Sequence, residues 1–378
     1  MGKGRSRDKA EHFLAIQRYY HWYDEASGRD LEIETERLEE LRREFESRNL
    51  SISEGEGEKL LQDFDRAAEI GCMRVSRLLE VCKALDVPPK YLEGIAFFQR
   101  KYPIPLDQPE IYKLISHILN EGNARITTDG KFHVVYNNLD PSLNDRVASL
   151  AEALGGRWAR RIGKDNVPET RLDATTARAL MKVGLVPGAK TTGQYLQPLP
   201  GPIREDGALS RYHLSATFTE EGWPSITLHE GIRPGFLVAY SRSVDITDTL
   251  PAEYVKSMQV SKKVTARKMP EEIRSVVQFT PFPLLQDEVR MSERTIGEHV
   301  RINFVGLYKS KDEHVTAEWR VTLSTHEQVE EFRQKIGFLP ESDVNRRFEK
   351  MWKIYQENRD KRLTLEDIEA IRERLRKL

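Results

Sequence analysis

Two stretches of this 378-residue chain, 100 positions apart, carry the same arrangement. The first reads Leu114-Ile115-Ser116-His117-Ile118-Leu119-Asn120-Glu121-Gly122, the second Leu214-Ser215-Ala216-Thr217-Phe218-Thr219-Glu220-Glu221-Gly222. Each reads as a short apolar helix that ends in an acid and a glycine, with a strand after it. A carboxylate in the last turn of a helix faces the partial negative charge of the carbonyl end and is disfavoured by ~0.3–1 kcal/mol. The glycine behind it reads as an ordinary helix cap, free to take the left-handed conformation. A disfavoured acid placed identically twice marks both a duplication and a use for the pair.

The flanking pattern extends the repeat. In the first copy, strands are expected at 124–127 and 131–136 about an Asp129-Gly130 turn, a strong hairpin signal. A helix at 140–154 stops at Gly155-Gly156, a basic strand or loop follows at 157–164, a strand at 170–174, and a helix at 175–183 ends at Gly184. The second copy runs helix 209–221, strands 225–229 and 236–242, a helix-like stretch at 252–258, strands 299–308 and 316–323, and a helix at 326–335 closing at Gly337. The spacing predicts a duplicated αββαββα unit, with repeats at 108–200 and 201–341. Helices follow at 342–378, where Thr364-Leu365-Glu366-Asp367 opens like a capping box.

Residues 1–107 read as an all-helical domain, with apolar helical spacing at 8–25, 32–47, 58–70, 73–85 and 89–100. The last three resemble a helix-turn-helix unit at 58–100; a docking or dimerisation bundle is the plainer reading. Tyr102-Pro103-Ile104-Pro105-Leu106 is a stiff connector that cannot be helix. Cys72 and Cys82 are the only cysteines and no Cys/His metal spacing exists, so a reducing, cytoplasmic setting is expected. No apolar run approaches the ~18 residues of a membrane span, and the basic N-terminus has no apolar core behind it, so neither a membrane partner nor a secretory signal is expected. Residues 1–107 hold 18 basic and 22 acidic side chains, 108–341 hold 30 of each, and 342–378 hold 11 against 8. With a net charge of −1, any phosphate binding must come from local patches. No P-loop, nucleophile elbow or Rossmann fingerprint competes.

In these residues the chain resembles the LAGLIDADG homing endonucleases in their single-chain, two-repeat form. The two nonapeptides sit where that motif would, with Gly122 and Gly222 as its terminal glycine. Tyr136-Asn137-Asn138-Leu139-Asp140, Val186-Pro187-Gly188-Ala189-Lys190 and Lys335-Ile336-Gly337-Phe338 look like its downstream pieces. The motif is degenerate: Ser116 and Ala216 replace its close-packing glycine, though both are small enough for two helices to cross closely, and both acids are glutamates. The resemblance spans 108–340 and implies an α/β (α+β) fold, a pseudo-symmetric core with saddle-like sheets preceded by the helical domain. It also implies a magnesium-dependent endonuclease making a staggered cut in double-stranded DNA or acting on structured RNA. The core is expected to be monomeric, with any oligomerisation running through the N-terminal helices. LAGLIDADG-like transcription regulators and splicing maturases supply the alternative, a catalytically inactive nucleic-acid-binding protein.

If the two motif helices pack side by side in parallel, Glu121 and Glu221 converge at the floor of a groove and need a cation. Mg2+ suits them, with Mn2+ as the alternative ion, because it takes one or two carboxylates while keeping waters and phosphate oxygens. Such an ion would activate a water and stabilise the leaving oxygen. Lys190 is the candidate charge stabiliser, His117 reads as a packed, hydrogen-bonded residue and Glu220 as a solvated one. Nucleic-acid contacts are expected from Arg125, Lys131, His133, Arg157, Trp158, Arg160, Arg161, Lys164, Arg171, Arg233 and Arg242, and from the run Lys256, Lys262, Lys263, Arg267 and Lys268. The sharpest cluster is 157–161, with three guanidiniums and an indole; a charged strand edge in solvent is its bland reading.

Overall fold

The computed structural model describes residues 19–20, 30–32, 35–47, 54–70, 72–92, 104–127, 132–163, 166–277 and 279–378. Two compact units partition the chain, Met1–Ile111 with Ala151–Arg157, and Tyr112–Leu150 with Trp158–Leu378. In the first, helices α1 (Thr35–Ser47), α2 (Glu54–Ile70) and α3 (Val75–Ala84) accompany short strands β1 (Tyr19–Tyr20), β2 (Asp30–Glu32), β3 (Cys72–Arg74) and β4 (Ile104–Pro105). Leu38, Leu41 and Phe45 of α1 are buried, as are Leu60 and Phe64 of α2, and the two phenyl rings lie 6.0 Å apart. The helices are therefore joined by strands that periodicity passes over. Tyr19–Tyr20, expected inside a helix, pairs with β4, and Cys72–Arg74 pairs with β2. Strands of two or three residues carry too little alternation to be read. The rest of 8–25, and 93–100, lie outside the described residues; Pro89–Leu92 is a single 3₁₀ turn.

The later elements repeat one order. The first copy is α4 (Pro109–Glu121), β5 (Gly122–Ile126), β6 (Phe132–Asn137), α5 (Pro141–Ala153), β7 (Trp158–Ile162), β8 (Pro168–Leu172) and α6 (Ala174–Lys182). After a short α7 (Gly201–Glu205), the second is α8 (Gly207–Glu221), β9 (Gly222–Thr227), β10 (Gly235–Asp245), two short helices α9 (Ala252–Ser257) and α10 (Glu271–Val276), then α11 (Pro283–Ile296), β11 (Arg301–Lys309), β12 (Val315–Leu323) and α12 (His326–Lys335). Each copy builds an antiparallel four-stranded sheet of the same order, β5-β6-β8-β7 and β9-β10-β12-β11. The duplicated αββαββα core expected from the sequence is thus present.

One element differs from expectation. The middle helix of the second copy is α11, not the stretch at 252–258. Pro283 opens it and Gly297 closes it at φ 77°. Buried Asp287 and Glu288 interrupt its stripe of Leu284, Leu285, Met291 and Ile296, which hides the helical period. By contrast β12 reads Val-Thr-Ala-Glu-Trp-Arg-Val-Thr-Leu, and its burial alternates in step. The C-terminal helices α13 (Asp343–Asn358) and α14 (Leu365–Arg376) cover the second sheet. Phe236 of β10 meets Trp352 and Tyr355 at 5.2 and 5.3 Å between centroids, and Ile226 of β9 packs on Ile354, Leu363, Ile368 and Ile371. Burying each such side chain stabilises by about 1.5–3 kcal/mol. The capping box at Thr364 and Asp367 is formed.

The two motif glycines do something other than cap in the left-handed region. Gly222 is extended at φ −107°, ψ 174°, and neither it nor Gly122 has positive φ. Their role is steric. A Cβ at Gly222 would stand 2.9 Å from the Ala239 carbonyl oxygen and closer still to that of Phe218; one at Gly122 would stand 2.6 Å from the Ile118 Cα. Glycine lets the chain turn from helix into strand at once, which aims the preceding acid. Gly222→Ala should therefore destabilise by about 1–3 kcal/mol, as overpacking does, read by denaturant unfolding; a neutral result would remove this account of the turn.

Candidate active site and nucleic-acid face

Helices α4 and α8 are locked together by buried polar groups. His117 Nδ1 lies 2.6 Å from Glu220 Oε1, and its Nε2 lies 2.8 Å from the Tyr212 hydroxyl. The Tyr136 hydroxyl donates to the same Glu220 oxygen at 2.5 Å. In the other direction, His213 Nδ1 lies 3.0 Å from Ser116 Oγ, and Thr217 Oγ1 donates to Asn120 Oδ1 at 3.3 Å. Small Ser116 and Ala216, both buried, sit in this crossing. His117 is thus packed and hydrogen-bonded, as expected. Glu220 is not solvated: its side chain is 0% exposed. Two partners from the first copy, His117 and Tyr136, make that burial tolerable.

The acids that end the helices share one electrostatic environment. Burial, and next the charge of Glu221, push the Glu121 carboxyl up to about 7, although Lys190 and Arg242 pull it down. Burial likewise raises Glu221 against the pull of Arg242 and Lys190. Burial lowers the Lys190 ammonium, opposed by the two acids, and its Nζ donates to the Asn120 carbonyl.

Arg242 overturns an expectation. Residue type assigns it to the nucleic-acid face, yet it is only 2% exposed and lies beneath the acid couple. Its guanidinium donates to Glu221 at 3.1 Å, to Glu288 at 2.8 Å, to the Tyr195 hydroxyl at 2.9 Å and to Asn120 Oδ1. Burial alone would raise Glu288, but Arg242 and His213 hold it down at about 2. Ladder register shows where the two halves part. Gly122 pairs with Tyr136 and Gly222 with Tyr240, so Arg242 stands at the place that Asn138 holds in the first copy.

Beside Glu121 lies a cleft of about 710 Å³, also lined by Asp140, Glu169, Glu220 and Asp343 and, among the described residues, by no lysine or arginine. Glu220 Oε2 is buried there without a hydrogen-bond partner. Among the described residues no three acids, histidines or cysteines are grouped to hold a metal ion.

Strand alternation sorts the expected contact residues. On the first sheet, Arg125 pairs across from His133, and Arg171 across from Val135 and Ala159, with the Arg171 guanidinium against the His133 ring. Arg161 is exposed opposite Glu169. Trp158 and Arg160 point to the opposite side, in register with buried Leu172 and Thr170. Arg160 lies 5.4 Å from the indole centroid and pairs with Asp145 of α5. The 157–161 cluster is thus split between two faces by its own period of two. Arg157 and Arg233 are exposed, as are Lys262, Lys263 and Arg267; Lys131, Lys164 and the Asp129-Gly130 turn lie outside the described residues. The second sheet adds two residues that the sequence reading does not select, Trp223 and Arg320. The Arg320 guanidinium lies 5.1 Å from the indole centroid on the face away from the helices. Alternation along β12 is the signal that could find Arg320.

No helix among the described residues is long and apolar enough to cross a membrane. No protein-family model matches the chain, and no curated protein does. Among solved structures, the meganuclease I-SmaMI bound to uncleaveable DNA is similar over 71% of this chain and 98% of its own, at 11% identity and TM-score 0.40. The LAGLIDADG meganuclease I-AabMI bound to uncleaved DNA is similar over 70% and 98%, at 12% identity and TM-score 0.39. Full-length DUF199/WhiA from Thermatoga maritima is similar over 71% and 68%, at 12% identity and TM-score 0.35.

Proposed function

We propose that the chain is a nucleic-acid-binding endonuclease in which Glu121 and Glu221 hold a divalent cation, Mg2+ or Mn2+, against a phosphodiester. The observation that carries this reading is Glu121, a carboxyl pushed up to about 7 beside an acidic cleft even with Lys190 and Arg242 at hand. Such a place is short of positive charge. Two carboxylates are what magnesium takes from a protein when phosphate oxygens and waters complete its octahedron. With Glu121 and Glu221 as its protein ligands, uptake of the ion depends on the nucleic acid. When bound, the ion supplies Lewis-acid stabilisation of the phosphate charge. Arg242 orients Glu221 from below, and Lys190 lies beside both acids. Arg125, Arg161, Arg171 and Arg320 bind the polyanion, and Trp223 offers a stacking surface.

Cleavage of a bound duplex or structured RNA with Mg2+ tests the proposal. Glu121→Gln should bind the same substrate and cut it about 100-fold more slowly or worse, the size of losing one stabiliser of transition-state charge. Equal rates would remove Glu121 from the chemistry. The Arg242–Glu221 ion pair favours a second reading, in which internal cations already satisfy the couple and the core only binds. A tightly bound substrate left uncut by the wild type would select that reading.

A further inference from the structure

The halves differ most in the connection before their middle helix. In the first copy β6 reaches α5 through 138–140 alone; in the second, β10 reaches α11 through 246–282. Within that connection, Lys256, Lys262, Lys263, Arg267 and Lys268 occur with no acid between Glu253 and Glu271. All five are exposed, and none pairs with a carboxylate among the described residues. In a chain of net charge −1, an unneutralised run of this kind is a local positive field.

The run is held rather than loose. Sheet order makes β11 an edge strand, and the connection docks along it. Ser261 N donates to the Lys309 carbonyl at 2.9 Å, and Val264 and Leu307 exchange hydrogen bonds at 2.9 Å in both directions. The contact falls at a bulge between Phe304 and Gly306. Gly306 has φ 155°, and a Cβ there would stand 2.8 Å from the Val264 carbonyl oxygen and 2.9 Å from Lys263 Cγ. Glycine at this position lets the basic connection lie against the strand, which also covers an open sheet edge.

We propose that this connection is a phosphate-binding arm that carries the nucleic-acid face of the second sheet past its β11 edge. Because the first copy has no counterpart, the footprint on a duplex is lopsided, longer on the side of the second repeat. The inference rests on the nucleic-acid reading above.

Binding to a mixed-sequence duplex of about 40 base pairs, followed as a function of salt, tests it. The variant carries Lys256→Gln, Lys262→Gln, Lys263→Gln, Arg267→Gln and Lys268→Gln; a companion exchanges Lys for Arg and Arg for Lys at the same five positions. With about three or four phosphates no longer neutralised, the slope of log K against log salt should flatten by roughly 3, and affinity near physiological salt should fall on the order of 100-fold. The charge-keeping companion should bind like the wild type, and backbone protection should shorten on one side only. An unchanged slope in the neutralised variant, with the wild type still binding steeply, would overturn the arm and leave the wider reading intact. Salt-independent binding by the wild type would overturn both. Loss of binding to phosphatidylserine vesicles with duplex binding unchanged would reassign the arm to a membrane surface.

Discussion

Arg242→Met should be among the most destabilising single changes in the chain, at about 3–5 kcal/mol near neutral pH. The reason is what it leaves behind. Glu288 is 0% exposed and is held ionised by Arg242 at 2.8 Å, with His213 at 3.2 Å. A buried ion pair adds little net stability over an apolar pair of equal volume, because its attraction only repays desolvation; breaking one partner leaves that desolvation unopposed. Arg242→Met combined with Glu288→Leu should therefore recover most of the loss, and a double-mutant cycle by denaturant unfolding measures the coupling. The pH dependence should invert as well. In the wild type the Glu288 contribution is present above its ordinary value of 4.5 and is lost as pH falls toward about 2. Without Arg242, burial dominates and lifts the carboxyl above its ordinary value, so acid should stabilise the single variant. A double variant as unstable as the single one would mean that Arg242 acts by packing, not by charge.

The legibility of the site follows the range of the forces that build it. The helices ending in Glu121 and Glu221 and the small residues at their crossing are local signals, each readable within a nonapeptide; the repeat emerges when the two stretches are compared, and the hairpins follow from alternation. Arg242 is misplaced when residue type alone is consulted. Its strand reads Phe236, Val238, Tyr240, Arg242, Val244 at every second position, so alternation already puts it on the buried face. The same rule separates Trp158 and Arg160 from Arg161. Glu220 and Glu288 are different in kind. Nothing near them in sequence announces a buried carboxylate, because the groups that make burial tolerable are His117 and Tyr136 from the other repeat and Arg242 from another element. The arm before α11 is visible as charge, while its docking depends on a bulge and on Gly306, which no periodicity encodes.

Glu121→Gln should make the protein more stable at pH 8 in the absence of divalent ions, even though it removes the residue that the proposed chemistry needs. The carboxyl sits at about 7 in the folded chain against an ordinary 4.5, pushed there first by burial and then by Glu221. A raised acid favours the folded state while protonated. Its contribution is whole below about 4.5, declines by about 1.4 kcal/mol per pH unit as pH rises toward 7, and is gone above it. Glutamine keeps the neutral form at every pH. The variant and the wild type should thus unfold alike near pH 4 and diverge by roughly 3 kcal/mol at pH 8, with the variant ahead. A divalent ion offered together with a bound, uncut substrate should close that gap by stabilising the wild type alone, since anything that binds only the folded state adds to its stability. Equal curves across the whole pH range would mean that Glu121 is not under strain from its neighbour. The acid couple would then be a pair of ordinary helix ends, and the case for a cation between them would fall with it.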